Sequence, residues 1–374
     1  MTGAGRTRAP LWLAQGSRFA GWPQRRAWIA LALLGLFLCL SLTALSSAGP
    51  PLVDRAVPSS DDRADILLYE SIIDAVRHGG DYYLVTAQAL RVGNYPLRPF
   101  FTFRLPTLAM VEAHIPPRLI VLLLYALAAT VIAAWYVRLR GVFTRQPPRI
   151  IAMILLGGSM AAFVQADLAA FHEVWAGLLI ALSLAARRPG RWIESVAIAL
   201  AAMLIRETAA LYVGLMFLLA LLEREKREAL GWFVATLVLA VAVAFHAHAV
   251  SAVVRPFDPV SPGWAGMLGF GFFVKTMALS TALSLAPLVI AAPLVALALF
   301  GWSACRDPFA LRVIVTLIGY AVLIGCFGRE DTFYWGLLVA PLILPGLAFV
   351  PDGLRDLFAR ALDARRITVT RVVR

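Results

Sequence analysis

The acids Asp61, Asp62, Asp65, Glu70, Asp74 and Asp81 crowd a short stretch just after the first long apolar run. A carboxylate within hydrogen-bond reach of a hydroxyl, with its pKa set by its surroundings, can act as a general base. Asp65 suits this role best, because it opens a helical segment and shares a face with Tyr69, four residues on. Asp62 and Glu70 are the other candidates. The bland alternative is that Asp61 or Asp62 caps the helix and that acids in its first turn answer its dipole. Downstream, NYPLRPFFTFRLP holds Arg98 and Arg104 between prolines. Arginine's planar fork grips phosphate through two nitrogens, although the same pair could hold lipid headgroups or a nearby acid.

Three further clusters have the right chemistry. QADLAAFHEVWAG places Asp167, His172 and Glu173 in a turn too tight for an ordinary solvated loop. His172 and Glu173 are adjacent and cannot share a helix face, which argues against a zinc pair. Asp167 with His172 could orient a substrate hydroxyl, or both could be helix caps. AAMLIRETAALY places Arg206 and Glu207 between two apolar runs, where charge is costly unless paired or wet. Arg206 is a candidate for a lipid-linked phosphate, and the alternative is an ion pair with Glu207 or Asp167. Arg329, Glu330 and Asp331 form a minimal loop, and Tyr334 and Trp335 follow as interface aromatics. His246 and His248 read as the polar end of a span. Cys39, Cys305 and Cys326 are scattered and suggest neither a metal site nor a disulfide framework. No metal site is assigned, though a divalent cation is compatible with Asp61, Asp62 and Asp65.

The elements that must position these groups are apolar. Of 374 residues, 61% are hydrophobic and 15% charged, with mean hydropathy +0.80, against roughly 25% charged in soluble domains. The expected fold is an all-α polytopic membrane protein of about ten transmembrane helices. The spans fall near Ala27–Ala48, Arg118–Val137, Ile150–Ala166, Ala169–Ala186, Trp192–Ile205, Thr208–Leu222, Leu230–Val250, Thr276–Phe300, Leu311–Phe327 and Phe333–Val350. The first run exceeds the apolar core of a signal peptide and reads as a retained anchor. In the outer segment 49–117, periodicity predicts an interfacial helix over Ala64–His78, stopped by Gly79-Gly80. A second helix is expected from Tyr82 to Leu90, and Pro96, Pro99 and Pro106 break the chain beyond it.

The net charge of +12 would suit nucleic acid, but the basic residues are spread over short loops, so no nucleic-acid partner is expected. With the N-terminus inside, most arginines fall in inner segments, among them Arg138, Arg187, Arg306, Arg312, Arg355 and Arg360, while most acids and all histidines fall outside. This gives a basic cytoplasmic N-terminus 1–26, one membrane domain 27–350 with periplasmic loop 49–117, and a basic cytoplasmic tail 351–374. The chemistry would then lie on the outer face of a bacterial-type inner membrane.

The pattern Asp65-x3-Tyr69, Gly79-Gly80-Asp81-Tyr82-Tyr83, Tyr95-Pro96 and Arg104-Leu105-Pro106 resembles the first outer loop of GT-C-type membrane glycosyltransferases. The resemblance implies an outward-facing site, a polyprenyl-phosphate sugar donor and a catalytic acid early in that loop. Asp65 takes the base position, with Asp61-Asp62 competing for it, and Arg206 or Arg104 holds the donor phosphate. The implied activity is hexosyl or pentosyl transfer, inverting in a single displacement, to a glycan or glycolipid acceptor. The alternative is a transporter or flippase of a lipid-linked or anionic substrate, which would place its charges along a two-sided path near the midplane.

Overall fold

In lipid a backbone must satisfy its own hydrogen bonds, so the apolar runs become helices. The computed structural model describes residues 9–50 and 60–363, and from 60 to 63 the backbone alone. In chain order the first helices are α1 (Gln24–Ser41, extended by a 3-10 turn to Ser46), α2 (Ser60–Arg77), α3 (Tyr82–Val92), α4 (Thr107–His114), α5 (Pro117–Leu139) and α6 (Gln146–Ser159). After two short 3-10 turns come α7 (His172–Ala186), α8 (Ile193–Ile205), α9 (Ala210–Leu222) and α10 (Lys226–Val253). The chain closes with α11 (Gly269–Leu279), α12 (Leu288–Ala304), α13 (Pro308–Phe327), a 3-10 segment Glu330–Leu338, α14 (Ala340–Ile343) and α15 (Val350–Ala361).

Helices α1, α5, α10 and α13 are long and apolar enough to cross a membrane, and a fifth span results if Glu330–Leu338 and Ala340–Ala361, bent by 57°, count as one. Helices α7, α8, α9, α11 and α12 are apolar but shorter. The protein is therefore built as a helical membrane protein, and among the described residues fewer helices are of full spanning length than the ten apolar runs suggest. The expected span Thr276–Phe300 is split between α11 and α12, because Thr281 caps a 3-10 turn and Pro287 starts a new helix. The expected span Phe333–Val350 is a chain of short 3-10 and α turns carrying Pro341 and Pro345.

Charges gather at both ends of the bundle. At one end Arg138 pairs with Asp307 at 2.8 Å, Arg187 with Glu228 at 2.7 Å and Arg312 with Glu223 at 2.7 Å. The amides of Leu11, Trp12 and Leu13 reach Asp352 at the same end. Helix α7 starts at His172-Glu173 and finishes just before Arg187, and α9 lies between Glu207 and Glu223. Both therefore run from the second charged end to the first. The residues expected in inner loops thus meet at one end, and the candidate chemistry lies at the other.

That second end is roofed by α2, α3 and α4. Ile72, Ile73, Val76 and Tyr82 pack with Ala109 and Ala113, while Leu67 faces outward. Helix α2 ends at the expected Gly79-Gly80, and Asp81 caps α3 by accepting from the amides of Tyr83 and Leu84. Glu112 on α4 is 5% exposed, and its Oε1 has no hydrogen-bond partner. Burial outweighs the attraction of Arg77 and pushes this carboxyl up to about 8. The folded protein thus holds a proton that the unfolded chain releases near pH 4.5. The part of the stability linked to Glu112 is greatest below that value and falls as pH rises through about 8. Glu112→Gln is expected to melt several degrees above wild type at pH 9 and close to it at pH 5. Thermal unfolding in detergent at both pH values checks this, and equal melting at pH 9 would refute it.

Candidate functional site

A cavity of about 1760 Å³ opens where α2, the segment Tyr95–Arg104, the start of α7, the α8–α9 joint and the 330–338 segment converge. Asp65, Tyr69, Glu70, Arg104, Asp167, His172, Arg206, Glu207 and Arg329 all line it. Glu173 lies just behind the wall, its side chain 1% exposed. The side chains of Asp61 and Asp62, expected as base or cation ligands, lie outside the described residues. Among the described residues no cluster of His, Cys, Asp or Glu is arranged to hold a metal ion.

Asp65 is half-buried, one turn of α2 before Tyr69. The Tyr95 hydroxyl donates to Asp65 Oδ1 at 2.6 Å. Gly93 makes this possible, since a Cβ there would come within 2.7 Å of the Tyr95 ring. Asn94 turns the chain at φ 55°, a conformation that Asn tolerates better than most residues. Burial pushes the Asp65 carboxyl up, while the Tyr95 hydrogen bond and the Arg104 charge draw it down. A carboxylate raised in this way is a stronger base than one in water. If Asp65 is the base, Tyr95→Phe removes a bond to its charged form and raises its pKa further. The acid limb of kcat/KM should then move to higher pH while KM stays near wild type. A pH profile of the variant checks this, and an unmoved limb would count against it.

Beneath Asp65 lie two arginines and two glutamates. Arg206 Nε donates to Glu173 Oε1 at 2.6 Å, and its Nη1 contacts Glu207 Oε1. Its guanidinium lies 6.0 Å from the centre of the Trp335 ring, and the residue is 2% exposed. Arg104 is held differently. Its carbonyl accepts from the Tyr82 hydroxyl at 2.8 Å, and its Nε donates to the Tyr69 hydroxyl at 3.1 Å. Its terminal nitrogens stand 3.7 and 3.8 Å from Glu173 and Glu207, beyond hydrogen-bond length. Arg104 thus keeps donors for an anion in the cavity, whereas Arg206 is mostly committed to the glutamates. The expected ion pair at Arg206-Glu207 forms, and the second partner of Arg206 is Glu173 on α7 rather than Asp167. Gly177 lets α7 approach the 330–338 segment, since a Cβ there would lie 3.1 Å from the Leu337 carbonyl carbon.

Other expectations need correction. Arg98 does not line the cavity, because its Nε and Nη2 donate to the Asp258 carbonyl at 3.0 and 2.8 Å. Asp258 in turn takes a two-pronged grip from Arg91 at 2.8 and 2.7 Å. These arginines tie the 254–268 loop to α3 and the segment after it, so of Arg98 and Arg104 only Arg104 lines the cavity. Asp167 is exposed and does not bond His172, whose ring sits 5.3 Å from that of Tyr69 with both nitrogens unpartnered. His246 and His248 lie before the end of α10, which continues to Val253, and the Tyr83 hydroxyl meets His246 Nδ1 at 3.2 Å. Arg329 pairs with Asp331 at 2.9 Å on the rim. Residue types gave no sign of Tyr95 as the partner of Asp65, nor of Thr208 as a wall residue.

These features define a class: an all-helical membrane protein with a deep cavity of mixed charge at one end of its bundle. Comparison of the chain with known protein families, curated proteins and solved structures finds no match.

Proposed function

We propose that the protein is a GT-C-type membrane glycosyltransferase that moves a sugar from a polyprenyl-phosphate donor to a glycan or glycolipid acceptor. The observation that carries this reading is one cavity holding a half-buried carboxylate, Asp65, close to an arginine with uncommitted donors, Arg104. Asp65 takes the proton of the acceptor hydroxyl as that oxygen attacks the anomeric carbon. The bond to the lipid phosphate breaks, and the phosphate leaves with the electron pair beside Arg104. A single displacement of this kind inverts the anomeric centre. The lipid phosphate is already a competent leaving group, so positioning, anion stabilisation and one base suffice. The sequence resemblance over Asp61–Pro106 supports the same assignment. The arginine-rich end of the bundle would face the cytoplasm of a bacterial-type inner membrane, and the cavity the periplasm.

The test is transfer of radiolabel by the purified protein from a panel of polyprenyl-phosphate sugars to extracted envelope glycans and glycolipids. Labelled product is expected with at least one donor. Movement of the lipid-linked sugar across vesicles without any product would favour the transporter alternative.

A further inference from the structure

Buried polar groups in proteins almost always find partners. The cavity wall breaks that rule at Thr86 and Thr102 and, with more atoms, in the part next to Arg206. Both ring nitrogens of His172, Glu207 Oε2, Thr208 Oγ1 and Trp335 Nε1 are buried without a hydrogen-bond partner. All four residues line the cavity, and Arg206 contacts Glu207, lies over Trp335 and bonds the neighbour of His172.

The kinds of group matter more than their number. The Trp335 indole N–H can only donate, and Glu207 Oε2 can only accept. The Thr208 hydroxyl does both, and a neutral imidazole offers one donor and one acceptor. A carboxylate or phosphate here would meet the Trp335 donor but be repelled by Glu207, and the nearby Arg206 is already held by Glu173 and Glu207. An ammonium group would meet Glu207 but face Arg206 and leave the Trp335 donor empty. Hydroxyl groups donate and accept, so a ring carrying several of them satisfies the whole set. The charges agree, because Arg104 and Arg206 are balanced by Glu173 and Glu207. The rings of Tyr69, Phe171 and Trp335 add faces against which the C–H side of a sugar can pack.

We propose that this inner wall is a subsite for an uncharged, hydroxyl-rich glycosyl unit, and that it rejects sugars carrying a carboxylate or an amine. The inference deepens the transferase reading and rests on it for the origin of the sugar, but binding is measurable without turnover. The probes are hexyl glycosides of a neutral hexose, a hexuronic acid and a 2-aminohexose, titrated calorimetrically into the protein in nanodiscs. The neutral glycoside should bind, and the two charged ones should bind ~100-fold more weakly, because each leaves a desolvated charge badly paired. Trp335→Phe, His172→Phe and Thr208→Val should each weaken the neutral glycoside by about 10-fold, the loss expected for one hydrogen bond. Thr208→Val keeps the side-chain volume, so it remains informative if a larger change disturbs folding.

The proposal is overturned if no glycoside binds, if a charged glycoside binds as tightly as the neutral one, or if all three variants bind like wild type. Binding of the neutral glycoside without transfer from any donor would sink the transferase reading and leave the subsite standing. Transfer of charged and neutral sugars at equal efficiency would do the reverse.

Discussion

Asp65→Asn is expected to lower sugar transfer by about 10²–10⁴-fold, the usual contribution of a positioned general base. The substitution preserves shape. An asparagine can keep an acceptor oxygen toward the Tyr95 hydroxyl, now 2.6 Å from Asp65 Oδ1, but it cannot take a proton. The fold should not suffer, because burial already disfavours the charged carboxylate. Melting at or slightly above the wild-type temperature is the expected companion result. Donor binding should change little, since Arg104 is untouched. Transfer by the purified variant, measured beside its melting curve, checks both parts. Full activity would remove Asp65 from the base role and turn attention to Glu70, which also lines the cavity, and to Asp62.

Arg206→Met should be the most destabilising of the single changes considered, by about 3–5 kcal/mol. Arg206 is buried and satisfies two glutamates at once, Glu173 at 2.6 Å and Glu207. Removing it leaves the Glu173 side chain, 1% exposed, as a buried charge with only the more distant Arg104. It also loosens the joint between α8 and α9, where Arg206 adopts extended backbone geometry. Adding Glu173→Gln alone should restore much of the loss, because it removes the uncompensated charge and leaves Arg104 balanced by Glu207. Arg104→Met should be milder in stability and harsher in donor affinity, since its ion pairs are longer. Thermal unfolding of the four proteins decides this. A single Arg206→Met variant that melts with wild type would show that the quartet contributes little.

Much of the frame can be read from local pattern. The interfacial helices α2 and α3 start and stop near the residues that periodicity, Gly79-Gly80 and the prolines indicate. The long helices α1, α5, α10 and α13 coincide with apolar runs. Pattern is less informative where an apolar run hides a break. Leu283, Leu285 and Leu288 look alike to a hydropathy count, yet the chain leaves helix between α11 and α12. The candidate site shows the same division. Adjacency in the chain suggests that Arg206 pairs with Glu207, and it does, but its second partner, Glu173, is 33 residues away. Arg98 and Arg104 look equivalent between their prolines, but a loop some 160 residues on claims only Arg98.

Composition, run length and periodicity settled the helical class, the segregation of charge and the segment that carries the acid. These are properties of neighbouring residues, written directly in the order of the chain. Packing decided which carboxylate meets Tyr95, which arginine keeps free donors and which buried polar atoms lack partners. Each of these depends on segments far apart in the chain coming within a few ångströms, and a few ångströms separate a committed guanidinium from an available one.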